Sequence, residues 1–238
     1  MKIFKVMAVA LAAFAGVSTA SAQDKLEGSV GADIVSRYVW RGGSLGDASI
    51  QPSAGIAYKG LSFGFWSSFG FINKDQDKEF DLTLAYTVGG FNVGVTDYYN
   101  SKRGNDNKYF EYRNGHSAHV WEGNVGYDFG PVAVQWYTNF AGADGSTKTG
   151  KRAYSSYFEI SAPFKLVTCD WKGTVGMVPW STDFYAGAET GFAVTNIALR
   201  CTKEIPVCKK WGIPVFGEVS ANPATKKGFF VLGCTLAY

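Results

Sequence analysis

Ionisable side chains in this sequence recur at even spacing, which on an extended strand places them on one face. Asp33, Arg37 and Arg41 follow that spacing in the first strand-like segment. Glu79, Asp81, Glu122, Asp128, Glu159, Asp170, Lys172, Arg200 and Glu218 fall on the corresponding face of later segments. A face carrying this much charge is no dry core, because a buried charge must be paired or wetted. Two arrangements satisfy that demand. One is a water-filled lumen whose excess of carboxylates favours cations or neutral polar solutes. The other is a plugged interior in which Arg37 and Arg41 form salt bridges to Asp81, Glu122 or Glu218.

Two further groups invite chemistry. Ser117 and His119 share a face beside His116, and a serine next to a histidine is the start of a hydrolytic dyad. Such a dyad needs a third group to orient the imidazole, for which Asn139 and Asn100 are the available residues. The competing reading is a histidine at the membrane interface, and no catalytic residue is assigned. Cys169, Cys201, Cys208 and Cys234 all map to one end of the last four strand-like segments. In an oxidising compartment they are expected to form disulfides, Cys169 with Cys201 and Cys208 with Cys234 being one of three pairings. No histidine lies at that end to complete a zinc site, so no metal is expected.

The elements that position these residues follow from the rest of the chain. Lys2 and Lys5, the apolar run Val6 to Val17 and the small residues up to Ala22 have the order of a secretory signal peptide, with cleavage after Ala22. The chain's 23 basic and 20 acidic side chains become 21 and 20 once those lysines are removed, too balanced to attract nucleic acid. Beyond Val17 no apolar run reaches the length of a spanning helix. With 29 glycines, 16% aromatics and short alternating segments, residues 23–238 read as an all-β domain. Twelve segments are expected, from Glu27–Arg41 to Lys227–Tyr238.

Their connections alternate in length. Gly60, 88–90, Gly130–Pro131 and 163–165 are tight, whereas 42–48, 73–77, 101–114, 143–151 and 178–190 are long and polar or aromatic. Short periplasmic turns opposite long extracellular loops are the pattern of a bacterial transmembrane barrel. A soluble sandwich has no reason to sort its loops by parity. The one exception is the long connection Lys203–Lys210 on the short side. Tyr38, Trp40, Tyr58, Trp121, Tyr127, Trp136, Phe140, Tyr154 and Trp171 fall on the outer face, many near strand ends, as interfacial aromatics do. Tyr238 ends the last amphipathic strand.

The stretch Ser36-Arg37-Tyr38-Val39-Trp40-Arg41-Gly42, with Gln51-Pro52-Ser53 and Gly64-Phe65-Trp66-Ser67-Ser68, resembles the TorF-type porins, a bacterial family also called Gcw_chp. The resemblance runs from just after the signal peptide to the C-terminus. It implies a closed antiparallel transmembrane β-barrel in the outer membrane of a Gram-negative bacterium, and supplies no binding residues. The expectation is a passive channel for small polar solutes without a cofactor, in contact with outer-membrane lipid and not with nucleic acid. The rival is a non-conducting barrel serving as an envelope scaffold or adhesin; an outer-surface lipid hydrolase is the third reading.

Overall fold

A computed structural model of the chain describes residues 25–72, 76–101, 108–113, 115–208 and 211–237. The expected signal peptide and Tyr238 lie outside the described residues. The strands are β1 (Glu27–Val35), β2 (Tyr38–Trp40), β3 (Gly43–Gly46), β4 (Ser49–Tyr58), β5 (Leu61–Gly70), β6 (Glu79–Val88) and β7 (Phe91–Asn100). They continue as β8 (His119–Asp128), β9 (Ala133–Gly142), β10 (Ser156–Leu166), β11 (Cys169–Val178), β12 (Ala193–Cys208), β13 (Trp211–Asn222) and β14 (Lys227–Ala237). All except β2 and β3 form one closed antiparallel barrel of twelve strands. β1 closes it by pairing with β14, from Gly31 opposite Ala237 to Val35 opposite Gly233. Closure leaves no open edge, which a strand structure in hydrocarbon requires.

Loop lengths sort by end with one exception. Lys59–Gly60, Gly89–Gly90 and Val167–Thr168 are two-residue turns, whereas the opposite end carries the connections 36–48, 101–118, 143–155 and 179–192 and one short turn, 223–226. Lys59 and Gly60 both have positive φ, 48° and 86°, the mirror-image turn that matches strand twist.

Outward-facing positions are apolar around the whole wall. Val30, Ile56, Phe63, Leu84, Val93, Val125, Ile160, Val175, Ile197, Val219, Phe230 and Leu232 are 39–59% exposed. Keeping such side chains in water costs roughly 1.5–3 kcal/mol each when fully exposed. A belt contributed by every part of the barrel is therefore a lipid surface.

Three expectations are corrected. The segment Glu27–Arg41 is not one strand: β1 stops at Val35, and β2 and β3 form a separate hairpin that turns into the lumen. Tyr38 and Trp40 thereby leave the outer face. Residues 163–165 are strand, not turn; Pro163 pairs with Lys172 of β11, beyond the point where the ladder to β9 ends at Ser161. One free edge is the setting in which a strand accepts proline. Lys203–Cys208 likewise continue β12 against β13, past the last partners of β11 and β14 at Thr202 and Val215, so these two strands project as a ribbon beyond the short-turn rim.

Candidate functional site

The hairpin β2–β3 owes its shape to its tip. Arg41 and Gly42 have φ of 47° and 79°, a two-residue turn with both residues left-handed. Gly42 is required there, because a Cβ would sit 1.7 Å from the Thr195 carbonyl oxygen of β12. Asn222 Nδ2 donates to the Gly42 carbonyl (3.1 Å) and to that of Ala186 (3.0 Å), joining the tip to the 179–192 loop. A left-handed arginine costs roughly 1–2 kcal/mol, so its surroundings must hold it.

They do so on every side. Arg41 grips Glu122 of β8 with both terminal nitrogens, Nη1 to Oε2 and Nη2 to Oε1 at 2.9 Å. Nη1 also donates to Tyr185 Oη (2.7 Å), and Tyr98 Oη donates to Glu122 Oε1 (2.9 Å). The guanidinium carbon lies 3.9 Å from the Tyr137 ring centre, 4.3 Å from Trp40 and 4.7 Å from Tyr157. The Arg41 and Glu122 side chains are 7% and 2% exposed. A planar, bidentate pair sandwiched by π faces is a setting in which arginine tolerates burial. Around it Tyr157, Val178, Tyr185, Ala188 and Ala193 form an apolar cluster with Trp40, Tyr137 and Phe184 packed against it. Hairpin and loop thus plug the lumen near its long-loop end.

Beyond the plug lies a cavity of about 230 Å³. Its lining includes Asp33, Asp81, Glu159 and Glu218, and Arg37, Arg41, Lys172 and Arg200, four carboxylates against four cations among the described residues. It extends to Thr87 and Asn92, which flank the Gly89–Gly90 turn. On one wall Arg200 Nε donates to Glu218 (2.8 Å), and its guanidinium lies 4.1 Å from the Phe216 ring centre. Asp33 accepts from Thr235 Oγ1 (2.6 Å).

The expected lumen residues are therefore placed as follows. Asp33, Asp81, Glu159, Lys172 and Glu218 line the cavity from strands; Arg37 and Arg41 reach it from the hairpin, where Arg41 holds Glu122. Asp170 shares the parity of Lys172 but sits at the short-turn rim, 70% exposed and 3.2 Å from Lys165. Tyr98 and Tyr137 lie on lumen-facing positions of β7 and β9, so strand parity was sufficient to find them. Tyr185, from a loop, left no such signal.

A second constellation stands on the outer wall. Asn92, Thr96 and Tyr98 face the lumen, so Asp97 and Tyr99 point outward, and Tyr99 registers with His119. All three are nonetheless buried, at 5%, 3% and 0% exposure, because Tyr109 and Tyr112 fold over them. His119 Nδ1 bonds Asp97 Oδ1 (2.8 Å), Nε2 donates to the Tyr109 carbonyl, and the Tyr112 ring stacks on the imidazole at 4.4 Å. Ser117 Oγ accepts from the His119 backbone N–H (3.1 Å) instead of meeting the ring. With both ring nitrogens engaged elsewhere, this geometry makes no Ser–His relay.

The four cysteines are free thiols. Cys169 and Cys201 are diagonal neighbours on the outer face of β11 and β12. Cys208 and Cys234 are apart. Their partners on β13 are Trp211 and Val215, about 13 Å apart along the strand, whereas a disulfide joins Cα atoms about 4.4–6.8 Å apart. That pairing is corrected. No group of metal-binding side chains is assembled among the described residues.

No family model and no curated relative matches the chain. Solved structures do resemble it. A chain studied for the in-meso crystallization of membrane proteins is 7% identical with a TM-score of 0.48, covering 89% of this chain and 83% of that one. Salmonella typhi OmpF, in complex with daunomycin, is 11% identical with a TM-score of 0.37 over 90% and 97% of the two chains. An anion-selective porin from Comamonas acidovorans is 10% identical with a TM-score of 0.34 over 90% and 99%.

Proposed function

We propose that this chain is a Gram-negative outer-membrane channel that passes small polar solutes by passive diffusion, its outer mouth held shut by the hairpin β2–β3. The observation that carries this reading is the charge-lined cavity running from the hairpin to the short-turn rim. Short turns at one end and long loops at the other fit periplasmic and extracellular faces. The secretory character of Met1–Ala22 and the resemblance of Ser36–Gly42 to TorF-type porins support the same placement. The cavity lining carries four carboxylates and four cations, and Arg41 among them is already held by Glu122, so selectivity comes from where the remaining charges stand. The reading calls for no cofactor and no catalytic residue.

The plug gives the scaffold or adhesin its one supporting observation, since a permanently closed barrel conducts nothing. Purified protein in planar lipid bilayers separates the two. The expected result is small, infrequent current steps for the wild type and more frequent ones for Glu122→Gln, which weakens the grip on Arg41. Absence of current in both, across salt and voltage, removes the channel reading and leaves the scaffold.

A further inference from the structure

Within the cavity, three buried side chains have polar atoms with no partner: Gln51 Nε2, Asp81 Oδ1 and Gln135 Oε1. Gln51 and Gln135 are 4% exposed and Asp81 is 9% exposed, and all three line the cavity. A buried carboxylate oxygen without a donor from the chain is costly, so such an atom calls for a donor from the cavity, a water or a solute. Two of the neighbouring cations are committed to carboxylates elsewhere, Arg41 to Glu122 and Arg200 to Glu218, and the exposed Arg37 donates to Ser44.

What flanks Asp81 narrows the occupant. In register, Trp66 stands directly across on β5 and Tyr98 directly across on β7. The Tyr38 ring packs 5.4 Å from that of Trp66, closing the chamber on the hairpin side. A carboxylate between an indole and a phenol attracts a cation that can also lie against a π face. A hard metal ion is a poor fit, since it needs several oxygens around it and no such group is assembled among the described residues. Gln51 registers one row away, near Ser68, and offers a donor to a hydroxyl or carbonyl on the same solute.

We propose that the lumen holds a binding site for a small organic ammonium compound, its cationic nitrogen at Asp81 and its methylene or methyl groups against Trp66. The site is reached from the short-turn end, because the cavity opens toward Thr87 and Asn92 and the plug closes the other side. This deepens the channel reading by naming a solute class and rests on it for biological meaning. Binding itself is an equilibrium property that needs no current.

Choline and its neutral isostere 3,3-dimethylbutan-1-ol, titrated into the full-length barrel in detergent and followed by calorimetry and tryptophan fluorescence, test the site. Choline is expected to bind about tenfold more tightly than the isostere, and Asp81→Asn to reduce choline affinity by about tenfold. Trp66→Leu is expected to weaken choline severalfold. Equal affinity for the two compounds, or unchanged binding in Asp81→Asn, overturns the assignment. Should Asp81→Asn fail to fold, the isostere comparison on wild-type protein decides alone. Choline binding without bilayer current would remove the channel and keep the site; current without choline binding would do the reverse.

Discussion

The barrel carries two folded-back loops, one inside the lumen and one against the outer wall, and they are fastened by different chemistry. The inner hairpin is held by Arg41, whose guanidinium stays charged at every accessible pH and meets Glu122 through two hydrogen bonds within an aromatic cage. The outer 101–118 loop is held by His119, whose ring nitrogens are divided between Asp97 and the Tyr109 backbone, with one stacked tyrosine. The inner fastening joins two elements 81 residues apart in sequence, the outer one elements 22 and 10 residues apart. The inner fastening therefore ties the hairpin to a distant strand of the wall, whereas the outer one orders residues near it in sequence.

The strongest test of that difference is Arg41→Ala. It leaves Glu122 buried without its counter-charge, and breaking one partner of a buried pair costs about 3–5 kcal/mol. The variant is expected to unfold at lower temperature, followed by loss of heat-resistant folded migration in detergent gels, and to conduct more than wild type. The double variant Arg41→Ala, Glu122→Gln is expected to recover part of the stability while staying open. An Arg41→Ala protein as stable and as quiet as wild type would show that the aromatic cluster holds the plug without the ion pair.

His119→Ala probes the other fastening and should act more locally. It strips Asp97 of its partner and Tyr112 of its stacking surface, with an expected loss of about 1–3 kcal/mol. Trypsin cleavage after Lys108 or Arg113 should accelerate severalfold while bilayer current stays at the wild-type level. A change in current would mean that the outer loop and the inner hairpin are coupled through β8, which carries both His119 and Glu122.

How much of this was readable from the residues differs between wall and loops. Twelve strands, closure and loop-length parity follow from alternation and turn chemistry, because the pattern of each strand is local. Arg41 and Glu122 were both placed in the lumen by parity, and their pairing was one of the arrangements considered. The hairpin itself was missed: Arg37 to Arg41 continue the alternation of β1 without a break, and the bend at Ser36–Arg37 that takes them off the wall is not flagged by the pattern. His119 was seen, but its partner was not. Its true partner, Asp97, lies on an outward position where a charge is unfavourable in lipid, so strand periodicity argued against it until the loop covered it.

The smallest effect is expected at Glu111, which belongs to the outer loop but not to its contact with the wall. Its carboxylate accepts from the Arg113 backbone N–H (3.0 Å), Nε (2.8 Å) and Nη2 (2.6 Å), hydrogen bonds that hold its pKa down at about 2 from an ordinary 4.5. A depressed carboxylate contributes its full interaction above the ordinary value and loses it as pH falls through the folded value. The Glu111–Arg113 clasp is therefore expected to persist at pH 3.5, where a free glutamate is mostly protonated, and to release only near pH 2. Carbon-13 NMR of the labelled carboxyl reads this directly, and a midpoint near 4.5 would mean that the clasp does not form. Because the Arg113 side chain is 75% exposed, water already screens the pair. Glu111→Gln should then change tryptic cleavage of the loop by less than about twofold at neutral pH. A Glu111→Gln loop as readily cut as that of His119→Ala would place the loop's order in its own internal clasp, and the wall contact would be its consequence.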